Sequence, residues 1–99
     1  MYMHIVMLEF TPGADPAFLQ QVQAYAVRVR QECEGVRLYH FGPNEAARAQ
    51  GYTHAVVSLF DDSATHDAYQ ISPAHVAMKT YMGPCIRRLA VFDGAALLS

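Results

Sequence analysis

Three imidazoles and a phenol stand out among the reactive groups of this 99-residue chain: His4, His54, His75 and Tyr69. Histidine changes charge near pH 6.5, which suits it to proton transfer at neutral pH, and tyrosine offers a hydroxyl donor. His4 stands in an apolar run with Ile5, Val6 and Leu8, and His54 shares strand parity with Tyr52 and Val56. A ring set among buried apolar side chains must find a hydrogen-bond partner or bear a desolvation penalty. Tyr69 and His75 flank a break at Ser72-Pro73. Packing is the competing reading for all four. Strand imidazoles are often satisfied by the backbone, a histidine can anchor the turn after a proline, and a tyrosine ring can wedge between helix and sheet.

The remaining candidates are weaker. His40 and His66 have no matched partner and are expected to be solvated or to line loops. The five histidines show no H-x-H or H-E-x-x-H spacing, so no metal site is expected. Cys33 and Cys85 lie 52 positions apart and read as free thiols in a reducing compartment. Cys85 follows Gly83-Pro84 with no adjacent base, as the start of a strand rather than a nucleophile. Met3, Met7, Met78 and Met82 suit an irregular core, an interface or a pocket for a flexible apolar ligand.

The elements that must position these groups can be read in order. Tyr2 to Phe10 is a strand with His4, Val6, Leu8 and Phe10 on one face and Met3, Ile5 and Met7 on the other. Asp15-Pro16 caps a helix to about Glu32, with Phe18, Val22, Tyr25, Ala26 and Val29 on one stripe. Val36 to Phe41 is a second strand. Residues 42–51 form a loop with room for one helical turn around Glu45–Gln50. Tyr52 to Phe60 is a third strand, and Asp61-Asp62-Ser63 starts a short helix through Tyr69. Pro73 opens another that ends near Gly83-Pro84, and Ile86 to Phe92 is the fourth strand. The order β-α-β-β-α-β, with its second helix broken, predicts one α+β domain over residues 1–99. It is a ferredoxin-like split βαβ, with a four-stranded antiparallel sheet and helices on one face.

Two helices cover one face of such a sheet, yet the first strand is apolar on both. A second copy of the sheet is the simplest lid, so a homodimer is expected. The chain is 53% hydrophobic and 16% charged, with net charge −2 and the single lysine Lys79. That balance argues against disorder, nucleic-acid binding and an anionic membrane surface. No apolar run approaches the ~20 residues of a bilayer span. No basic residue precedes Arg28, so a cytoplasmic location is expected.

His4-Ile5-Val6, Gly51-Tyr52-Thr53-His54, Tyr69-x-x-Ser72-Pro73-Ala74-His75 and the closing Val91-Phe92-Asp93 resemble, in order and spacing, the stress-responsive α/β-barrel (Dabb) family. The resemblance covers essentially the whole chain and implies a dimeric α+β barrel. A plant cyclase of that family closes a linear polyketide by aldol condensation. Likeness to it implies that His75 is a general base and Tyr69 the oxyanion donor, both catalytic, with His4 and His54 contacting substrate. The ligand implied is small and apolar, phenolic or β-keto, and the step needs no metal or cofactor. The family's usual His-Pro-x-His reads Ser72-Pro73-Ala74-His75 here, without the first histidine. Other members keep the set with no known reaction, which leaves a non-catalytic binding barrel as the second reading.

Overall fold

Alternation along Tyr2–Phe10 gives β1, whose even residues turn to one side of the sheet and odd residues to the other. The computed structural model describes residues 1–97. After β1 come α1 (Pro16–Glu32), β2 (Val36–Pro43), β3 (His54–Phe60), α2 (Ser63–Gln70), α3 (Pro73–Met82) and β4 (Ile86–Ala95), with a 3-10 turn at Gly83–Cys85. The strands pair antiparallel in the order β2-β3-β1-β4. This is the expected ferredoxin-like α+β fold.

Side chains start each helix. The Asp15 carboxylate accepts from the Phe18 amide at 2.8 Å, with Pro16 as the first helical residue. α1 then buries Phe18, Val22, Ala26 and Val29. Gly35, at φ 73°, turns the chain into β2, and a Cβ there would lie 2.5 Å from Thr65 Cγ2. Asp62 caps α2 on the Thr65 amide, and Ser72 caps α3 on the His75 amide at 3.2 Å.

Some boundaries differ from expectation. β3 starts at His54 rather than Tyr52, β2 runs on to Pro43, and β4 runs to Ala95. Residues 44–53 contain turns and no helical turn. Asn44 explains this. Its amide donates to the Thr53 carbonyl at 2.8 Å, its side-chain nitrogen donates to the Tyr52 carbonyl at 3.0 Å, and its side-chain oxygen accepts from the Ala46 amide at 3.1 Å. A side chain that captures nearby backbone in this way competes with helix formation.

The helix side of the sheet carries the core: Leu8, Phe10, Tyr39, Phe41, Val56 and Phe60 pack against α1, α2 and α3. The other side of the sheet is apolar as well and has no helix over it. Met3, Ile5, Met7, Val57 and Leu59 are half-buried, and Leu38 and Phe92 are exposed. β4 is an edge strand, and its Leu89 and Val91 stay about half exposed on the helix side. Among the described residues, no helix is long and apolar enough to cross a membrane.

Candidate functional site

His75 sits in the first turn of α3, held from two directions. The Ser72 hydroxyl caps its amide, and its ring Nδ1–H donates to the Gln70 carbonyl at 2.9 Å. A carbonyl can only accept, so Nδ1 carries the proton and Nε2 keeps its lone pair. The residue is 8% exposed. Burial holds its pKa below the usual imidazole value; Lys79, His4 and His66 push the same way, and the Gln70 carbonyl opposes them. The neutral ring is therefore favoured.

His75 lines a cavity of about 230 Å³ with His4, Val6, Gln70, Lys79, Leu89 and Val91. β1 and the uncovered flank of β4 supply its apolar side, and α3 supplies its polar side. Lys79, which sequence reasoning did not single out, stands one helical turn after His75 and brings an ammonium to the same wall. Its i, i+4 spacing from His75 was the available signal.

Tyr69, in the last turn of α2, is 2% exposed, and its ring centroid lies 4.3 Å from that of His75. Its hydroxyl is 2.7 Å from the Tyr39 hydroxyl, which can also donate to Met78 Sδ at 3.5 Å. Burial pushes Tyr39 up to about 12 and Tyr69 higher still, so both phenols stay protonated. Tyr69 borders a different cavity, of about 460 Å³, with Cys33, Asp62, Thr65 and Ser72 among its lining. The fold thus packs the Tyr69 ring against His75 at a 40° tilt but engages its hydroxyl with Tyr39.

His4 is 5% exposed and pairs directly across β1 and β4 with Asp93, its Nδ1 lying 2.5 Å from the carboxylate Oδ1. Its backbone carbonyl accepts from the Ser58 hydroxyl at 2.6 Å. His66, expected to be solvated, is instead 4% exposed on the inner face of α2. It lies among Tyr2, Phe60 and Tyr69, with its ring centroid 4.5 Å from that of His4. The physical reason is spacing: His66 precedes Tyr69 by three residues, so both rings turn to the sheet. Asp93 and His66 are thus site neighbours that sequence reasoning missed.

His54 does not join this group. It pairs across the sheet with Leu8, whereas His4 pairs with Ser58, so four residues, or about 13 Å of strand, separate the two. Its ring stacks on Phe41 at 5.5 Å and lies 5.1 Å from Phe10, its Nδ1 is 2.9 Å from Thr53 Oγ1, and burial lowers its pKa. His40 is exposed on the open face.

The same arrangement of elements recurs in known proteins. The stress-response A/B barrel domain-containing protein HS1 of Arabidopsis thaliana is 27% identical over 93 residues, spanning 91% of this chain and 84% of that protein. A dimeric ferredoxin-like protein of unknown function from Thermobifida fusca superposes with a TM-score of 0.83 at 23% identity, over 96% of this chain and 90% of that one. A hydroxynitrile lyase from Passiflora edulis gives 0.85 at 19% identity, over 99% and 94%. The model of the stress responsive A/B barrel domain matches residues 3–95, nearly every residue of the sheet and helices that build the cavity. By that match the chain belongs to the stress responsive A/B barrel domain family.

Proposed function

We propose that the chain works as a homodimeric α+β barrel that binds a small apolar carbonyl compound, β-keto or phenolic, in the cavity between α3 and the β1–β4 edge. His75 removes an activated proton from it through Nε2. The observation that carries this reading is the bond from His75 Nδ1 to the Gln70 carbonyl, which leaves Nε2 basic on a residue lining a cavity whose strand side is apolar. Lys79 on the same wall favours negative charge developing on the substrate.

For Tyr69 to serve as oxyanion donor, its hydroxyl must leave Tyr39 and turn from the larger cavity it borders towards His75, against which its ring already packs. The raised pKa of Tyr69 keeps the hydroxyl hydrogen in place. This is aldol-type chemistry of the kind performed by olivetolic acid cyclase. The fold also hosts the hydroxynitrile lyase of Passiflora edulis, so lyase chemistry is compatible with it. The two unpaired thiols, Cys33 and Cys85, suit a reducing, cytoplasmic setting.

A second reading, a barrel that binds without turnover, is favoured by the Tyr39–Tyr69 bond. Among the described residues every buried side-chain polar atom has a partner, so the cluster also serves the fold. Native mass spectrometry of the wild type and His75→Ala, beside an assay with a short poly-β-keto acid, separates the two. The catalytic reading expects both proteins to be folded dimers and His75→Ala to lose at least 100-fold in turnover. Equal handling of the substrate by the two proteins overturns it.

A further inference from the structure

His4, His66 and Asp93 come from β1, α2 and β4, and each offers a ligand atom within 4.8 Å of the other two. We propose that these three residues form a binding site for one divalent transition-metal ion of the zinc class.

The donors are two imidazoles and one carboxylate, a set that suits borderline ions better than magnesium or calcium. Both histidines are more than nine-tenths buried, so solvent does not compete for their lone pairs. The Gln70 side-chain amide lies 3.3 Å from His66 Nε2 and donates to it, which makes that nitrogen an acceptor. His66 Nε2 and Asp93 Oδ1 then face each other at 3.9 Å as two acceptors, with no hydrogen to join them. A cation between them takes the His66 lone pair in place of the Gln70 amide hydrogen, the Gln70 side chain turning away as it binds.

Ligands at about 2.0–2.1 Å from a tetrahedral ion stand about 3.3 Å from one another. The observed 2.5 Å from His4 Nδ1 to Asp93 Oδ1 and 3.9 Å from His66 to Asp93 bracket that value. Asp93, one-third exposed on an edge strand, can even out its own two distances by a sub-ångström shift, and the two imidazoles, whose donor atoms lie within 4.8 Å of each other, close on the ion by ring rotation. On binding, the ion replaces the hydrogen that His4 Nδ1 gives to Asp93, and the proton passes to solvent. Three protein ligands leave at least one coordination position open. His4 also lines the His75 cavity, so a bound ion stands at the cavity wall. The site does not depend on the role given to His75.

The test is titration of the purified, metal-stripped protein with Zn²⁺ by calorimetry and with Co²⁺ by visible absorption. One ion per chain is expected, with Co²⁺ bands of a four- or five-coordinate site. His66→Ala and Asp93→Asn should each weaken binding at least tenfold, while His40→Ala, on the opposite face, leaves it unchanged. Asp93→Asn keeps the shape of a partly exposed residue, so it remains informative if His66→Ala does not fold. No saturable binding by the wild type, equal weakening by His40→Ala, or a preference for Mg²⁺ overturns the site.

Discussion

An imidazole acts as a base only if one ring nitrogen is kept free and the ring is kept neutral, and at His75 different contacts do each. The Gln70 carbonyl fixes the tautomer, and burial disfavours the cation. Since the folded-state pKa is lowered, the unfolded chain binds this proton first as pH falls. Stability therefore declines as pH drops below about 6.5, and it levels off below the folded pKa. The slope from this one group cannot exceed about 1.4 kcal/mol per pH unit. The groups facing His75 are Lys79 on its own helix, His4 from β1 and His66 from α2, and all three push its pKa down. Turnover should accordingly hold its neutral-pH value down to below pH 6.5 before its acid limb begins. An acid limb centred well above 6.5 would assign the base to another group.

At the level of elements, the break between α2 and α3 does most to shape the site. Ser72 occupies the place of the histidine usual in the family. Its hydroxyl donates to the Tyr69 carbonyl at 2.7 Å and accepts from the His75 amide, so one side chain joins the end of α2 to the start of α3. Ser72→Ala should lower stability by about 1 kcal/mol, the usual loss of an N-cap, and disturb His75 as well. Thermal melts measure the first effect, and the NMR pH titration of the His75 ring measures the second. An unchanged titration would show that the Gln70 carbonyl alone holds the ring. Ser72-Pro73 was legible because the cap and the proline are local signals, as were Asp15-Pro16 and Asp62-Ser63. The turns of residues 44–53 were not, because Asn44 there bonds to residues eight and nine positions away. The same limit governs the site. Tyr69 and His75 lie six residues apart and could be paired from sequence, whereas His4 meets Asp93 only through an 89-residue separation that β1–β4 pairing closes. His54 lies on the strand next to His4 but four residues along it, because parity assigns a residue to a face and leaves its height along the strand to register.

For the whole molecule, the two faces of the sheet divide the work. The helix face holds the cavity and the His4–His66–Asp93 cluster. The open face presents Ile5 between Val57 and Phe92, with Leu38, Leu59 and Met3 beside them. Phe92 is 55% exposed and Leu38 43%, more apolar surface than a single sheet face normally leaves to water. A second copy packed on this face would bury it, at a spacing of about 10 Å between sheets. A carboxylate placed at its centre would then lose its hydration without gaining a partner, a cost of several kcal/mol. In the isolated chain the same carboxylate stays half-exposed and costs far less. Val57→Asp should therefore convert a dimer at micromolar concentration into a folded monomer, read by light scattering and circular dichroism. Because the cluster lies on the opposite face, that monomer should still bind Co²⁺ as the wild type does. A wild type that is itself monomeric at that concentration removes the open face as an interface, while a Val57→Asp monomer that loses Co²⁺ binding would mean that the partner's sheet holds the site in shape.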